Sequence, residues 1–284
     1  MNVFVVILHY GSIELTKKCI NSLSKNDNNS KKIVLVNNDK NITISPSVFH
    51  LSRKKLKVIN NKKNLGFSAG VNVGIKYALG ENVDAVLLLN NDAMLKEPLL
   101  KKLIAVSSSD ESIGIASPAI QFSRNGKQVF DIGGKVNKFF WRTSHEEVYS
   151  LKNLYTQEVD YVTGAAMFIK REVFTKVGFL DEHFFLYYED VDFCLRARRQ
   201  GFRIIVEPRL KIYHSLSKTI GKVSSLAIYH QTRSALIFGR KHIQYPLNKF
   251  FHIAFLIFQA IFITFKHPSV GIPAFKAFLN LPLE

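Results

Sequence analysis

Along its N-terminal third the chain alternates between short runs that are apolar throughout and longer stretches with helical spacing. Residues 3–8, 33–36 and 85–89 are the apolar runs, rich in Val, Ile and Leu, and 56–59 is a fourth interrupted only by Lys57. Each is short enough for a strand, and none alternates with polar positions. Strands apolar on both faces are buried on both faces, which predicts a mostly parallel sheet covered by helices. Ser12 and Glu14 carry a helix start after the first run, with Ser12 as the cap. Residues 66–79 read as a second helix despite their glycines. Further strand-like runs lie at 165–169 and 203–206, and a helix at 189–199. Residues 113–161 are less regular and hold Gly133-Gly134 and the single tryptophan, Trp141. No linker or repeat interrupts the pattern, which predicts one domain over residues 1–240 and an appended segment over 241–284.

The strands end in small polar residues: His9-Tyr10-Gly11, Asn37-Asn38-Asp39, Asn60-Asn61 and Asn90-Asn91-Asp92. In open α/β sheets ligands bind at that carboxyl edge. No Gly-x-Gly-x-x-Gly fingerprint follows the first strand, which argues against an ordinary dinucleotide fold.

The appended segment is of a different kind. Residues 250–265 read FFHIAFLIFQAIFITF, without a charge unless His252 is protonated. Sixteen residues fall short of the roughly 20 needed to cross a bilayer. Lys249, His252, Gln259 and Lys266 share one narrow helical stripe, so the amphipathic helix is either buried against protein or a dimer partner or lies in a membrane interface, and the interface is the expectation. Pro268 stops it, and residues 272–281 predict a second short helix.

Composition narrows the partners. The chain of 284 residues carries a formal charge of +17, which attracts nucleic acid, anionic lipid or phosphorylated substrates. No nucleic-acid motif accompanies the charge, and the apolar tail favours a membrane surface. Cys19 and Cys194 lie far apart and form no disulfide or metal pattern, which suits a reducing compartment. The N-terminus has no basic region before residues 3–8, which read as a strand and not as a signal peptide.

Candidate chemistry concentrates in a few places. Glu189, Asp190 and Asp192 crowd together after an aromatic run. They fit a reactive carboxylate cluster, and equally a helix start that continues to Arg196, Arg198, Arg199 and Gly201. Asn90-Asn91-Asp92 fits a cation site beside a diphosphate or a polar turn. Asn64-Leu65-Gly66-Phe67-Ser68-Ala69-Gly70 opens a helix whose free N–H groups suit phosphate. His214 suits Mn²⁺ or another first-row ion if the fold brings it to Asp92.

Taken in order, NLGFSAGVNVGI, LLLNNDA and GFLDEHFFLYYEDVDFCLRARRQGFRI with the later His214 resemble the inverting glycosyltransferases of family 2. Within that family the chain is similar to the rhamnosyltransferase-like and galactofuranosyltransferase-like bacterial enzymes that build surface polysaccharides, O antigen among them. The resemblance covers roughly residues 3–240 and implies the GT-A fold. It implies that Asp190 is the catalytic base, with Glu189 and Asp192 beside it in the acceptor pocket. It implies that Asp92 is the last acid of the metal-binding D-x-D motif, with Asn90 in place of the first, and that His214 also reaches Mn²⁺ or Mg²⁺. Asn37 stands where many members have an aspartate that contacts the nucleotide base. His9, Tyr10, Gly11, Asn38, Asn64, Gly66, Phe67, Gly70 and Asn91 are the further donor-binding positions. The implied partners are a dTDP- or UDP-sugar, a lipid-linked glycan acceptor and the cytoplasmic face of the membrane. A catalytically silent sugar-nucleotide or membrane scaffold with the same fold is the alternative.

Overall fold

In the computed structural model, described here for residues 1–27, 29–214, 224–266 and 268–279, the expected strands form the centre of one mixed sheet. The strands are β1 (Val3–His9), β2 (Lys32–Asn37), β3 (Leu56–Asn60), β4 (Ala85–Asn90), β5 (Ala93–Met94), β6 (Ile113–Arg124), β7 (Lys127–Asn137), β8 (Arg142–Val148), β9 (Gln157–Glu158), β10 (Ala166–Lys170) and β11 (Arg203–His214). The helices are α1 (Ile13–Asn26), α2 (Gly66–Gly80), α3 (Leu100–Ser108), α4 (Arg171–Val177), α5 (Glu189–Arg199), α6 (Ser225–His242), α7 (Pro246–Lys266) and α8 (Pro268–Leu279). The sheet runs β3-β2-β1-β4-β10-β6-β11-β5, with β7 and β8 extending from β6 and β9 paired to β11. β3, β2, β1 and β4 are parallel, whereas β10 runs antiparallel between β4 and β6.

The unbroken apolar runs have a direct cause. Phe4, Val6 and Leu8 of β1 point into one core with α2 and α5, and Val3, Val5 and Ile7 point into another with α1 and α3. Successive side chains of a strand leave opposite faces, so a strand between two helical layers has no polar side. Ser12 caps α1 as expected, its Oγ accepting from the Leu15 N–H. The glycines of α2 are packing positions: a Cβ at Gly74 would lie 2.5 Å from Val6, and one at Gly70 2.7 Å from Leu8.

Three expectations are corrected. The irregular stretch 113–161 contains the strands β6, β7 and β8: β6 lies within the main sheet, and the β7–β8 hairpin extends from it. Much of β8 is exposed, so its sequence lacks the apolar run that marks a buried strand. The strand expected at 203–206 continues to His214, past an irregularity between Glu207 and Lys211 at Pro208. The tail helix α7 has 21 residues, not sixteen, and is long and apolar enough to cross a membrane, with a mean hydropathy of 1.6. The second short helix begins at Pro268, and residues 280–284 lie outside the described residues.

Candidate active site

The carboxyl ends of β1, β2 and β4 open on a cavity of about 250 Å³. Asn90, Asn91 and Asp92 form its floor, Tyr10, Asn38, Asn64, Gly66 and Phe67 one wall, and Phe185, Leu186 and Tyr187 the other. His214 enters from β11.

Strand register brings His214 to Asp92. β5 follows Asp92 directly and pairs antiparallel with the end of β11, with His214 opposite Ala93. The His214 Nε2 then lies 2.9 Å from Asp92 Oδ1 and 3.1 Å from Asn90 Nδ2. Both side chains are nearly buried, at 10% and 9% exposure, and face the cavity. One carboxylate oxygen and one imidazole nitrogen converging at this distance fit a first-row divalent cation. Among the described residues no cluster of three or more His, Cys, Asp or Glu forms a metal site. A cation held here would have Asp92 and His214 as its protein ligands.

Asp190 reaches the same region by a backbone link. Its Oδ2 accepts the Gly164 N–H at 3.1 Å, and the next residue, Ala165, accepts the Asn90 N–H at 3.0 Å. Two consecutive residues leading into β10 thus join Asp190 to the turn that carries Asp92. A Cβ at Gly164 would lie 2.9 Å from the Phe67 ring, so this close passage requires glycine.

The three acids have three different environments. Glu189 is 6% exposed, its Oε2 has no hydrogen-bond partner, and burial raises its carboxyl well above the ordinary range. Asp190 is half-buried. Burial also raises it, while the N–H groups of Gly164 and Val191 and the nearby His145 pull it back. Asp192 is fully buried and turned away: it binds His242 at 2.7 Å, Lys241 at 2.8 Å and Arg196 at 2.8 Å. The expectation that all three acids line one pocket is corrected for Asp192. Its neighbours at one helical turn and on α6 consume the carboxylate, so it locks α5 to α6.

Tyr187 and Tyr188 just before α5 both have left-handed backbones, with φ of 69° and 67°. Bulky residues rarely adopt this conformation, and it costs on the order of 1–3 kcal/mol each. The turn aims Tyr187 into the donor-side cavity and Tyr188 towards the opposite side.

The glycine-containing opening of α2 is used differently than expected. Gly66, at φ +80°, has its N–H bound to Asn64 Oδ1, and the Phe67 N–H donates to Phe185 O at 2.7 Å. Ser68 donates to Phe184 O, and Asn72 donates to Leu180 O. The Gly66 and Phe67 N–H groups are therefore engaged within the protein, and Phe67 N–H, the Ser68 hydroxyl and the Asn72 amide hold the 180–185 segment. A Cβ at Gly66 would lie 2.5 Å from Phe185 O. The two most distinctive sequence segments are thus joined to each other, and that join positions the approach to Asp190.

Asn37 is likewise internal. Its Nδ2 donates to Ile42 O and Asn60 Oδ1, and its Oδ1 accepts from the Asp39 N–H. Asn38 lines the cavity, with its amide bound to Asn64, Gly66, Asn61 and Leu65. His9 is fully buried under the floor and bound to Thr16, which also accepts from Asn91; burial lowers its basicity. Tyr10 is exposed at the rim, and Gly11 turns with φ +80° into open space. Sequence reasoning missed Leu226, Ala227 and His230 of α6, which close the cavity; the His230 ring stacks on Phe185 at 4.6 Å.

A family model described as "Glycosyltransferase like family 2" matches residues 2–239. The chain belongs to this family. It is a glycosyltransferase with the GT-A fold. The low-salt glycan biosynthesis hexosyltransferase Agl10 of Haloferax volcanii is 34% identical over 49% of this chain, which spans 45% of that relative. The dTDP-rhamnosyl transferase RfbF of Shigella flexneri is 24% identical over 85% of this chain and 81% of its own length. An N-acetylglucosaminyl-diphospho-decaprenol L-rhamnosyltransferase of Mycobacterium tuberculosis is 30% identical over 33% of this chain and 32% of its own. Among solved structures, GalNAc-T7 with UDP, GalNAc and Mn²⁺ superposes with a TM-score of 0.63 at 15% identity, covering 82% of this chain and 47% of that one. The mannosyltransferase PcManGT from Pyrobaculum calidifontis, in complex with GDP-Man and Mn²⁺, gives 0.56 at 12% identity, covering 99% and 76%.

Proposed function

We propose that this glycosyltransferase moves a hexosyl or rhamnosyl group, with inversion, from a nucleotide-diphosphate sugar to a hydroxyl of a lipid-linked acceptor in surface-polysaccharide synthesis. The observation that carries the reading is the link Asp190–Gly164–Ala165–Asn90, which sets a carboxylate beside the turn holding Asp92 and His214. The Shigella dTDP-rhamnosyl transferase and the Mycobacterium diphospho-decaprenol rhamnosyltransferase support the donor and acceptor classes.

Asp190 accepts the proton of the acceptor hydroxyl. The oxygen forms a bond to the anomeric carbon as the carbon–oxygen bond to the diphosphate breaks on the opposite face. Glu189, raised by burial, holds its proton and spares Asp190 a second adjacent negative charge. Asp92 and His214 are the residues that would hold a divalent cation, with Asn90 beside them. A bound Mn²⁺ or Mg²⁺ supplies positive charge where the leaving diphosphate becomes more negative. Phe67, Phe185 and Tyr187 offer aromatic surface to the donor and keep water from the centre.

The outer faces of α7 fit peripheral attachment to the cytoplasmic membrane face. Its buried positions are His252, Leu256 and Ala260, whereas Phe250, Phe258, Ile261 and Phe265 are 49% exposed or more. The polar stripe expected to face water is therefore partly turned inward: His252 hydrogen-bonds Ala235 O of α6.

Thermal unfolding with dTDP- and UDP-sugars, with and without Mn²⁺, tests the donor reading. One nucleotide sugar should protect the protein only with metal, and Asp92→Ala should abolish that protection. Protection unaffected by EDTA contradicts the cation assignment.

A further inference from the structure

Tyr187 lines the donor cavity, and the next residue, Tyr188, lines a second cavity of about 140 Å³. Helix α6 divides the two: Ala227 and His230 face the donor side, and Gln231 and Thr232 the other. The second cavity is completed by Arg142 and Thr143 of β8 and by Gln259 of α7. Its lining is donor-rich. Arg142 has no carboxylate within ion-pair distance among the described residues, and its guanidinium lies 4.1 Å from the ring centre of Phe255 on α7. Gln231, Thr232 and Gln259 make no side-chain hydrogen bond among the described residues.

Two further relations set its context. Tyr188 and Arg142 line the cavity together, and Tyr188 is two residues before Asp190, so the cavity wall leads to the proposed base. Its α7 wall carries the exposed apolar surface on the outside. The β7–β8 hairpin tip extends that surface: Phe139 and Phe140 are 56% and 45% exposed, and Phe139 stacks on Phe251 at 6.3 Å. An unpaired guanidinium with amide and hydroxyl donors suits phosphate oxygens, which accept forked hydrogen bonds. An apolar surface beside it suits the hydrocarbon attached to them.

We propose that this cavity takes the diphosphate of a lipid-linked acceptor, with Arg142 as the anion-binding group, so that the first sugar beyond the diphosphate reaches Asp190. The proposal rests on the lipid-linked acceptor reading and adds the site and its residue. No bond is made or broken at Arg142, which acts by binding alone.

The test uses the full chain in EDTA, so that metal-dependent diphosphate binding at Asp92 is silent. Binding is measured to neutral vesicles carrying farnesyl diphosphate, to vesicles of equal surface charge carrying phosphatidylglycerol, and to inorganic pyrophosphate in solution. The wild type should prefer the farnesyl diphosphate vesicles by about tenfold, the scale of one charged hydrogen-bonded contact. Arg142→Gln should reduce the preference to within about twofold, with phosphatidylglycerol binding little changed. Arg142→Lys, which keeps the charge but not the fork, should fall between. Equal binding of Arg142→Gln and wild type to the farnesyl diphosphate vesicles overturns the proposal. So does pyrophosphate binding as tight as that of the lipid. Failure of the wild type to bind any vesicle overturns it together with the membrane reading. Protection by nucleotide sugar and Mn²⁺, measured on the same preparations, reports separately on the transferase reading and on folding of the variants.

Discussion

Asp192 and His242 are joined by a 2.7 Å hydrogen bond in the interior, between α5 and α6, with both side chains at 0% exposure. Lys241 and Arg196 complete the cluster around the same carboxylate. Asp192 therefore belongs to the framework of the site and not to its chemistry.

Asp192→Ala should destabilise the fold by about 3–5 kcal/mol, the scale for removing one partner of a buried ionic cluster. Chemical denaturation measures this directly. Protein that remains folded should still bind donor. A variant of normal stability with lost turnover would instead make Asp192 a reacting group.

Glu189 yields a pH prediction with a definite sign. Its carboxyl is raised in the folded protein by burial, and by Asp190 beside it, from an ordinary value of 4.5. Below that ordinary value both folded and unfolded chains hold the proton. Above it the unfolded chain releases the proton first, so stability falls with rising pH until the folded carboxyl also ionises. Glu189→Gln cannot ionise. Its melting temperature should gain on the wild type as the pH rises from 4.5 through neutrality. A constant difference across that range contradicts a buried, proton-holding Glu189.

The sheet was legible because burial on both faces writes itself as unbroken apolar runs, as in β1 and β4. The hairpin of β7 and β8 was not, since exposed strands carry no such signal. Asp92 and His214 were legible as candidates through their motif, but their meeting depends on the pairing of β5 with β11, which no local pattern encodes. The acids of α5 look alike in sequence. Only the packing of α6 against α5 separates Asp192 from Asp190, and α6 itself gave no recognised signal. Gly66 was readable as permissive backbone, whereas Gly164 was not singled out. The partners that demand glycine at the two positions, Phe185 and Phe67, come from distant segments.

The surface of α7 predicts two kinds of membrane response. Lysines near anionic lipid contribute about 1 kcal/mol each, so high salt should loosen the protein from anionic vesicles. Exposed Phe258, Ile261 and Phe262 contribute hydrophobic binding that salt does not remove. Replacing all three with Ser should release the protein even at low salt. Sedimentation of that variant as complete as the wild type's would place the membrane contact elsewhere.

The central claim is that Asp190 deprotonates the acceptor while Asp92 and His214 serve the donor. Turnover and donor affinity of Asp190→Asn, measured on one preparation with a diphosphate-lipid-linked sugar as acceptor, test it most directly. A general base is worth about 10²–10⁴ in rate, so kcat should fall at least about 10²-fold. The amide keeps the side chain's shape, and Asp190 lies outside the donor cavity lining, so donor Kd should stay within about threefold of the wild type. Turnover near the wild-type value, with donor binding intact, would contradict the account.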